Sequence, residues 1–198
     1  MKTLWLLMAS LILASAGCER QHGGGADVQA PGHAPADAAA PVLDRALTAA
    51  VAERFPGSAI LTHSVACRSS AAGPMQTGMV LQQGDELHAV IGVASHNSWV
   101  ITSLPQRVEY SGGAMANFLD DYESAEARAQ LQVRCATPGH DPDISVEANG
   151  AFIAHRGEQA TAKHLCFSAS AVYNSWVCYW TSPGAAEPEL SFVQFNAD

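Results

Sequence analysis

The chain has 198 residues, with nineteen Asp plus Glu against ten Lys plus Arg and a formal net charge of −9. That balance excludes the basic footprint that nucleic acid demands and the polybasic face that anionic membranes attract. It suits solubility and a cationic partner.

In chain order, Lys2 precedes an apolar run from Leu4 to Ala14, and Ser15-Ala16-Gly17 then place small residues before Cys18. The run is about 11 residues, against the roughly 20 that a membrane span needs, so it reads as a removable export signal. Its end resembles the lipobox of bacterial lipoproteins, in which a cysteine becomes the acylated first residue of the mature chain. Ser15 stands where that pattern usually has leucine. The resemblance implies that residues 1–17 are removed and that Cys18 is lipidated. With Glu19 rather than Asp next, it implies sorting to the outer membrane, facing the periplasm. Several acyl chains together would anchor it stably. The alternative is plain secretion to the periplasm, since Ala14-Ser15-Ala16 is also a cleavage pattern. Cysteine parity favours the lipoprotein. With Cys18 acylated, Cys67, Cys135, Cys166 and Cys178 remain and can all pair, whereas secretion after Ala16 leaves an odd thiol. Loss of Lys2 brings the net charge to −10.

Residues 18–41 are rich in Gly, Ala, Pro and polar residues, with Val28 the one large aliphatic residue. Such a stretch cannot bury enough apolar surface to offset its ordering entropy. It is predicted as a flexible tether with a mean reach on the order of 25 Å. His22 and His33 in it are read as solvated.

From residue 42 to 198 the composition is globular, enough for one domain with its own core. A helix is predicted over 42–55, between Pro41 and Pro56-Gly57. Leu43, Leu47, Ala50, Val51 and Phe55 share one face, and Asp44 and Arg54 complement the helix dipole. Ala59 to Val65 reads as a strand. Gly78–Gln83, Gly84-Asp85 and Glu86–Ala94 read as a hairpin, with Leu87, Ala89, Ile91 and Val93 alternating along its second arm. Trp99 to Thr102 reads as a further strand.

A short helix is predicted over 113–121. Over 125–135 apolar or small residues alternate strictly with polar ones, and that period of two is read as a half-buried strand despite the helix-forming alanines. Later strands are predicted at Ile144–Ala148, Ala151–His155, Lys163–Ser168, Trp176–Thr181 and Leu190–Phe195. Asn149-Gly150 reads as the tight turn joining the first two of these.

Asn97-Ser98-Trp99-Val100 recurs as Asn174-Ser175-Trp176-Val177. The echo raises an internal duplication with halves 58–135 and 144–198. The fold class expected is mainly β (α+β). It is an antiparallel β-sandwich or barrel-like domain with one N-terminal amphipathic helix and two disulfides.

Four cysteines allow three pairings. Cys166–Cys178, closing a short hairpin-like loop, and Cys67–Cys135, closing nearly 70 residues, are favoured. Their spacings fit no zinc pattern, so no metal is expected there. Asp141-Pro142-Asp143-Ile144-Ser145-Val146-Glu147 offers oxygens at alternate positions, but Val146 and Phe152 stand where a calcium loop needs Gly and Glu.

No catalytic motif is present. There is no nucleophile elbow, no H-E-x-x-H, no P-loop and no dinucleotide fingerprint. His88, His96 and His155 are scattered on or beside predicted strands, and His164 is read as a strand-face residue beside a disulfide. The acidic run Asp120-Asp121 with Glu123 reads as a solvated loop. The chain is therefore read as a binding protein rather than an enzyme, with no cofactor.

Ser168-Ala169-Ser170-Ala171-Val172-Tyr173, with Tyr179-Trp180-Thr181 and Gly184-Ala185-Ala186, resembles the C-terminal signature of membrane-bound inhibitors of c-type lysozyme. Ser182 and Pro183 replace that family's Lys-Gly step. The resemblance covers under twenty residues. It implies that Ser168, Ser170 and Tyr173 are contacts to a hydrolase. Trp99 and Trp176 complete the candidate binding set as exposed aromatics. The expected role is a lipid-anchored binding module, an inhibitor or immunity protein for a cell-wall hydrolase with a cationic protein partner. The alternative is a structural accessory lipoprotein of an envelope or secretion complex.

Overall fold

From residue 59 onward, β-branched and aromatic residues gather in short runs, and these runs pair as antiparallel strands. A computed structural model describes residues 43–110, 114–146, 149–153, 157, 159–185 and 187–195, with backbone alone at 110 and 114–116. The predicted signal, Cys18, the tether and His155 lie outside the described residues.

Helix α1 (Arg45–Arg54) starts where Asp44 accepts a hydrogen bond from the Ala46 amide at 2.6 Å. The first sheet holds β1 (Ala59–His63), β2 (Cys67–Arg68), β3 (Met75–Gln83), β4 (Glu86–Ser95) and β5 (Ser98–Ser103), in the order β1-β3-β4-β5 with β2 also on β3. A ribbon of β6 (Arg107–Tyr110) and β7 (Ala114–Asn117) follows, then a single-turn helix α2 (Ala125–Arg128). The second sheet contains β8 (Val133–Ala136), β9 (Gly150–Phe152), β10 (His164–Ser168), β11 (Trp176–Trp180) and β12 (Glu189–Gln194), in the order β8-β10-β11-β12-β9.

The sheets pack as an antiparallel sandwich, the expected class. Val80, Ile91 and Val93 from the first meet Val133, Leu165, Phe167, Val177 and Tyr179 from the second. Phe118 and Tyr122, which follow the ribbon, close the same core. The sheets come so near at Gly78 that a Cβ there would sit 2.7 Å from Val133 and 2.9 Å from Phe167.

The predicted hairpin is β3–β4, with Gln83 opposite Glu86 across Gly84-Asp85. Its second arm carries apolar residues on both faces because both faces are covered. Leu87, Ala89, Ile91 and Val93 enter the core, while Val90 joins Met79 and Leu81 beneath Leu47, Val51 and Phe55 of α1. The helix lies so close that a Cβ at Gly92 would meet Leu47 at 2.6 Å.

Both favoured disulfides are present. Cys166 and Cys178 face each other directly across β10–β11. Cys67–Cys135 joins β2 to β8, one sheet to the other.

Three sequence expectations are corrected. Residues 125–135 are not a strand. Ser124 caps α2 by accepting from the Ala127 amide at 3.1 Å, and the chain becomes a strand only at Val133. The alternation over 125–129 is carried by alanines alone, which have too little apolar area to impose a period of two against their helix propensity. Residues 113–121 are not a helix. Ala114–Asn117 pair with β6, and Leu119 takes a left-handed φ of 78° that starts a turn. Ile144 is not in a strand either. It makes one bridge to Asp141 inside a turn closed by the Asp143 amide on the Asp141 carboxylate. Residues after Gly150 therefore do not fold back on Ile144, and β9 instead pairs with β12, ending at Phe152.

The two Asn-Ser-Trp-Val copies occupy different positions. Trp99 is on the edge strand β5, and Trp176 opens the inner strand β11.

Candidate functional site

Small polar residues between β10 and β11 favour a turn over a continued ladder, and the chain there bends through residues 169–175. Ser170 builds the bend. Its Oγ accepts from the amides of Val172 at 3.2 Å and Tyr173 at 3.1 Å, and its hydroxyl donates to Asp121 at 2.6 Å. Ala169 N donates to Ser175 O at 2.8 Å and closes the base. At the crest Val172 is 78% exposed and Tyr173 42% exposed. The loop's own hydrogen bonds hold this apolar pair outward.

The loop is braced from both sides. At its start Ser168 is buried, and its Oγ accepts from the Tyr122 hydroxyl and the Gln132 amide, each at 2.9 Å. Burial raises the Tyr122 phenol pKa above its usual value. The Ser168 bond opposes that rise, and nearby Asp121 adds to it. At the loop's end Asn174 donates to Asp143 O at 2.8 Å and accepts from Trp176 Nε1 at 2.6 Å. Buried Gln194 donates to Asn174 O at 2.9 Å and accepts from Ser145 N at 3.0 Å. Arg134 lies over the Trp176 ring at 4.9 Å, donates to Asp143 at 2.6 Å, and places two donors on Gln132 Oε1.

Four of the five candidate binding residues therefore meet in one region, and only one of them is exposed. Tyr173 is exposed at the crest. Ser170 shapes the crest, Ser168 fastens it to the core, and Trp176 is a buried platform under Arg134. Trp99 is elsewhere. It packs half-buried against α1 and lines a small hollow of 170 Å³ with Leu47, His63 and Met75. Sequence reasoning missed Asp121, Gln132, Arg134, Asp143 and Gln194. Asp121 and Gln194 act over separations of 49 residues, which leave no local pattern.

The ground beside the crest is acidic. The segment carrying Asp121 also lines a hollow of 510 Å³ with Asp85, Glu86, Asp120 and Glu123 on its walls. Arg128 is there too, with Nε donating to Tyr122 O at 2.9 Å. Among the described residues no group of three His, Cys, Asp or Glu side chains is arranged to hold a metal. The Asp141–Asp143 turn spends its carboxylates on Arg134, at 3.7 and 2.6 Å.

Among the described residues His164 contacts Ser191. His164 Nδ1 is 2.7 Å from Ser191 Oγ, and its Nε2 is 2.8 Å from Gln159 O. Both residues are fully buried, so no substrate reaches the pair. A ring nitrogen facing a carbonyl must carry a proton, which places the hydrogen of the neutral ring on Nε2. Burial lowers the ring's pKa, and the Gln159 carbonyl only partly offsets this. The pair ties β10 to β12 and to the 3-10 turn Gln159–Thr161.

No family model, curated protein or solved structure matches the chain.

Proposed function

We propose that the chain is a lipid-anchored envelope protein, fastened through Cys18 to the outer membrane on its periplasmic side, that works as a non-catalytic binding module. Its partner is a cationic protein, and a cell-wall hydrolase is the partner class proposed, with this chain as inhibitor or immunity factor. The reading is carried by the Val172–Tyr173 crest, an exposed apolar pair fixed by Ser170 beside a strongly acidic surface. Apolar anchors supply affinity in such an interface, and complementary charge speeds and selects encounters. Two disulfides suit an oxidising compartment.

The test is inhibition of muramidase activity by the purified chain and by Tyr173→Ala and Val172→Asp. Loss of inhibition in both variants with an unchanged melting temperature supports the reading. Absence of inhibition by the parent chain, with envelope crosslinks running instead to secretion components, overturns the hydrolase partner in favour of an accessory role. Mass spectrometry of the mature N-terminus tests acylation at Cys18, and an unmodified, uncleaved terminus overturns it.

A further inference from the structure

Between the loop and the end of α2 lies a hollow of 220 Å³. Its wall carries amides, hydroxyls and aromatic rings but no charged side chain: Gln130, Gln132, Ser168, Ser170, Tyr173 and Trp176 are among the residues lining it.

Counting hydrogen-bond capacity shows what the hollow lacks. The Tyr122 hydroxyl and the Gln132 amide both donate to Ser168 Oγ. Ser168 is only 7% exposed, and its hydroxyl is shared with the Tyr122 hydroxyl. Gln132 Oε1 takes two donors from Arg134, and no acceptor for its NH₂ is present among the described residues. The Gln130 amide is exposed and likewise without a described partner. Each amide offers donors and an acceptor, and each hydroxyl offers both roles.

These groups select a ligand by exclusion. An anion needs a free cation, but Arg134 is already committed to Asp143, Gln132 and the Trp176 ring. A cation would find Asp121 already bonded to Ser170. An apolar ligand would cover the Gln130 and Gln132 side-chain amides without pairing them, at a cost in affinity. A neutral polyol answers every group, because each of its hydroxyls both donates and accepts. The exposed Tyr173 ring adds a flat face for its C–H surface. The volume is below the roughly 300 Å³ at which drug-sized pockets begin, so it holds one ring.

We infer that this hollow is a saccharide subsite that takes one pyranose ring of a neutral glycan. The subsite goes beyond the protein-partner reading and does not depend on it.

The test is a titration of the full chain with an N-acetylglucosamine trimer and, separately, with maltotriose, read by NMR at the Gln130 and Gln132 side-chain amides and the Tyr173 ring. Saturable shifts at these groups are expected, with a Kd on the order of 1 mM for a single-ring contact. The sugar that binds tighter identifies the source, an acetamido glycan or a plain glucan. Gln130→Ala weakens the shifts at least about fivefold without moving the melting temperature. No saturable shift with either sugar overturns the subsite, as does binding that Gln130→Ala leaves unchanged. If the parent chain inhibits muramidase while neither sugar binds it, only the subsite fails. If sugar binds and no inhibition is seen, only the proposed function fails.

Discussion

The outer faces of the two sheets are covered in opposite ways. The first sheet is roofed by α1, a regular element whose Leu47, Val51 and Phe55 meet Met79, Leu81 and Val90 in an apolar seam. The second is roofed by irregular chain, where Ile144 buries an apolar patch against Trp176 and Phe192. Polar ties through Arg134, Asp143, Asn174 and Gln194 pin the margin of that cover. Burial is the main tie of the first roof, with one hydrogen bond from Gln83 to Pro56 O at its end. The second needs specific hydrogen bonds, and these same bonds aim the 169–175 loop. The exposed Val172–Tyr173 crest therefore belongs to the sheet with the polar cover.

The comparison is sharpest where one bond joins the two halves. Replacing Cys67 and Cys135 together with alanine removes the link between sheets, a loop with a sequence separation of 68. The loop-entropy account gives a loss of about 4 kcal/mol. The same change at Cys166 and Cys178, separated by 12 within one sheet, costs about 3 kcal/mol. Urea midpoints of the two variants check the order. Leu47→Ala, in the apolar seam, should cost about 3 kcal/mol by cavity formation, and the loop's hydrogen exchange should stay as it was.

This contrast explains how far the sequence could be read. The β3–β4 hairpin, β10, β11 and β12 were legible because their β-branched and aromatic residues carry the signal themselves. The disulfide pairing was favoured correctly because one pair closes a short loop and the other spans the domain. Of the roofs, only α1 announced itself, since Leu47, Val51 and Phe55 recur at helical spacing. The alanines of 125–135 carried a period with no burial behind it. The β6–β7 ribbon and the turn at Asp141 depend on backbone and Asx geometry that hydrophobic pattern does not encode. Gln194 was invisible because its partners Ser145 and Asn174 are distant in the chain.

The second sheet should also respond to acid. Burial depresses the His164 pKa in the folded state. Above about pH 6.5 the ring is neutral in both states and adds no slope. Below that, the unfolded chain takes up a proton that the folded ring refuses. Stability then falls as pH falls, by up to about 1.4 kcal/mol per unit, until the folded ring also protonates. Urea midpoints between pH 7.5 and 5.5 should show this slope, and His164→Gln should flatten it, by roughly that amount per unit.

Arg134→Ala tests the polar roof itself. The pair with Asp143 is partly exposed and adds little, and the stacking on Trp176 adds a comparable amount. A loss of about 1 kcal/mol is expected, with faster amide exchange at residues 169–175 and none at α1. Equal acceleration at both roofs would break the distinction between them.

The smallest effect on stability is expected at the crest. Tyr173 is exposed and its side chain has no hydrogen-bond partner among the described residues, so Tyr173→Ala should change the urea midpoint by no more than about 0.5 kcal/mol. Ser170→Ala should separate shape from contact. It removes the acceptor for the Val172 and Tyr173 amides and the bond to Asp121, yet leaves both crest side chains in place. If the crest binds because it is held rigid, Ser170→Ala will weaken partner affinity mainly through a faster off-rate, while Tyr173→Ala removes the anchor outright. Equal affinity in the Ser170 variant and the parent would mean that the loop needs no bracing, and the polar roof would then serve stability alone.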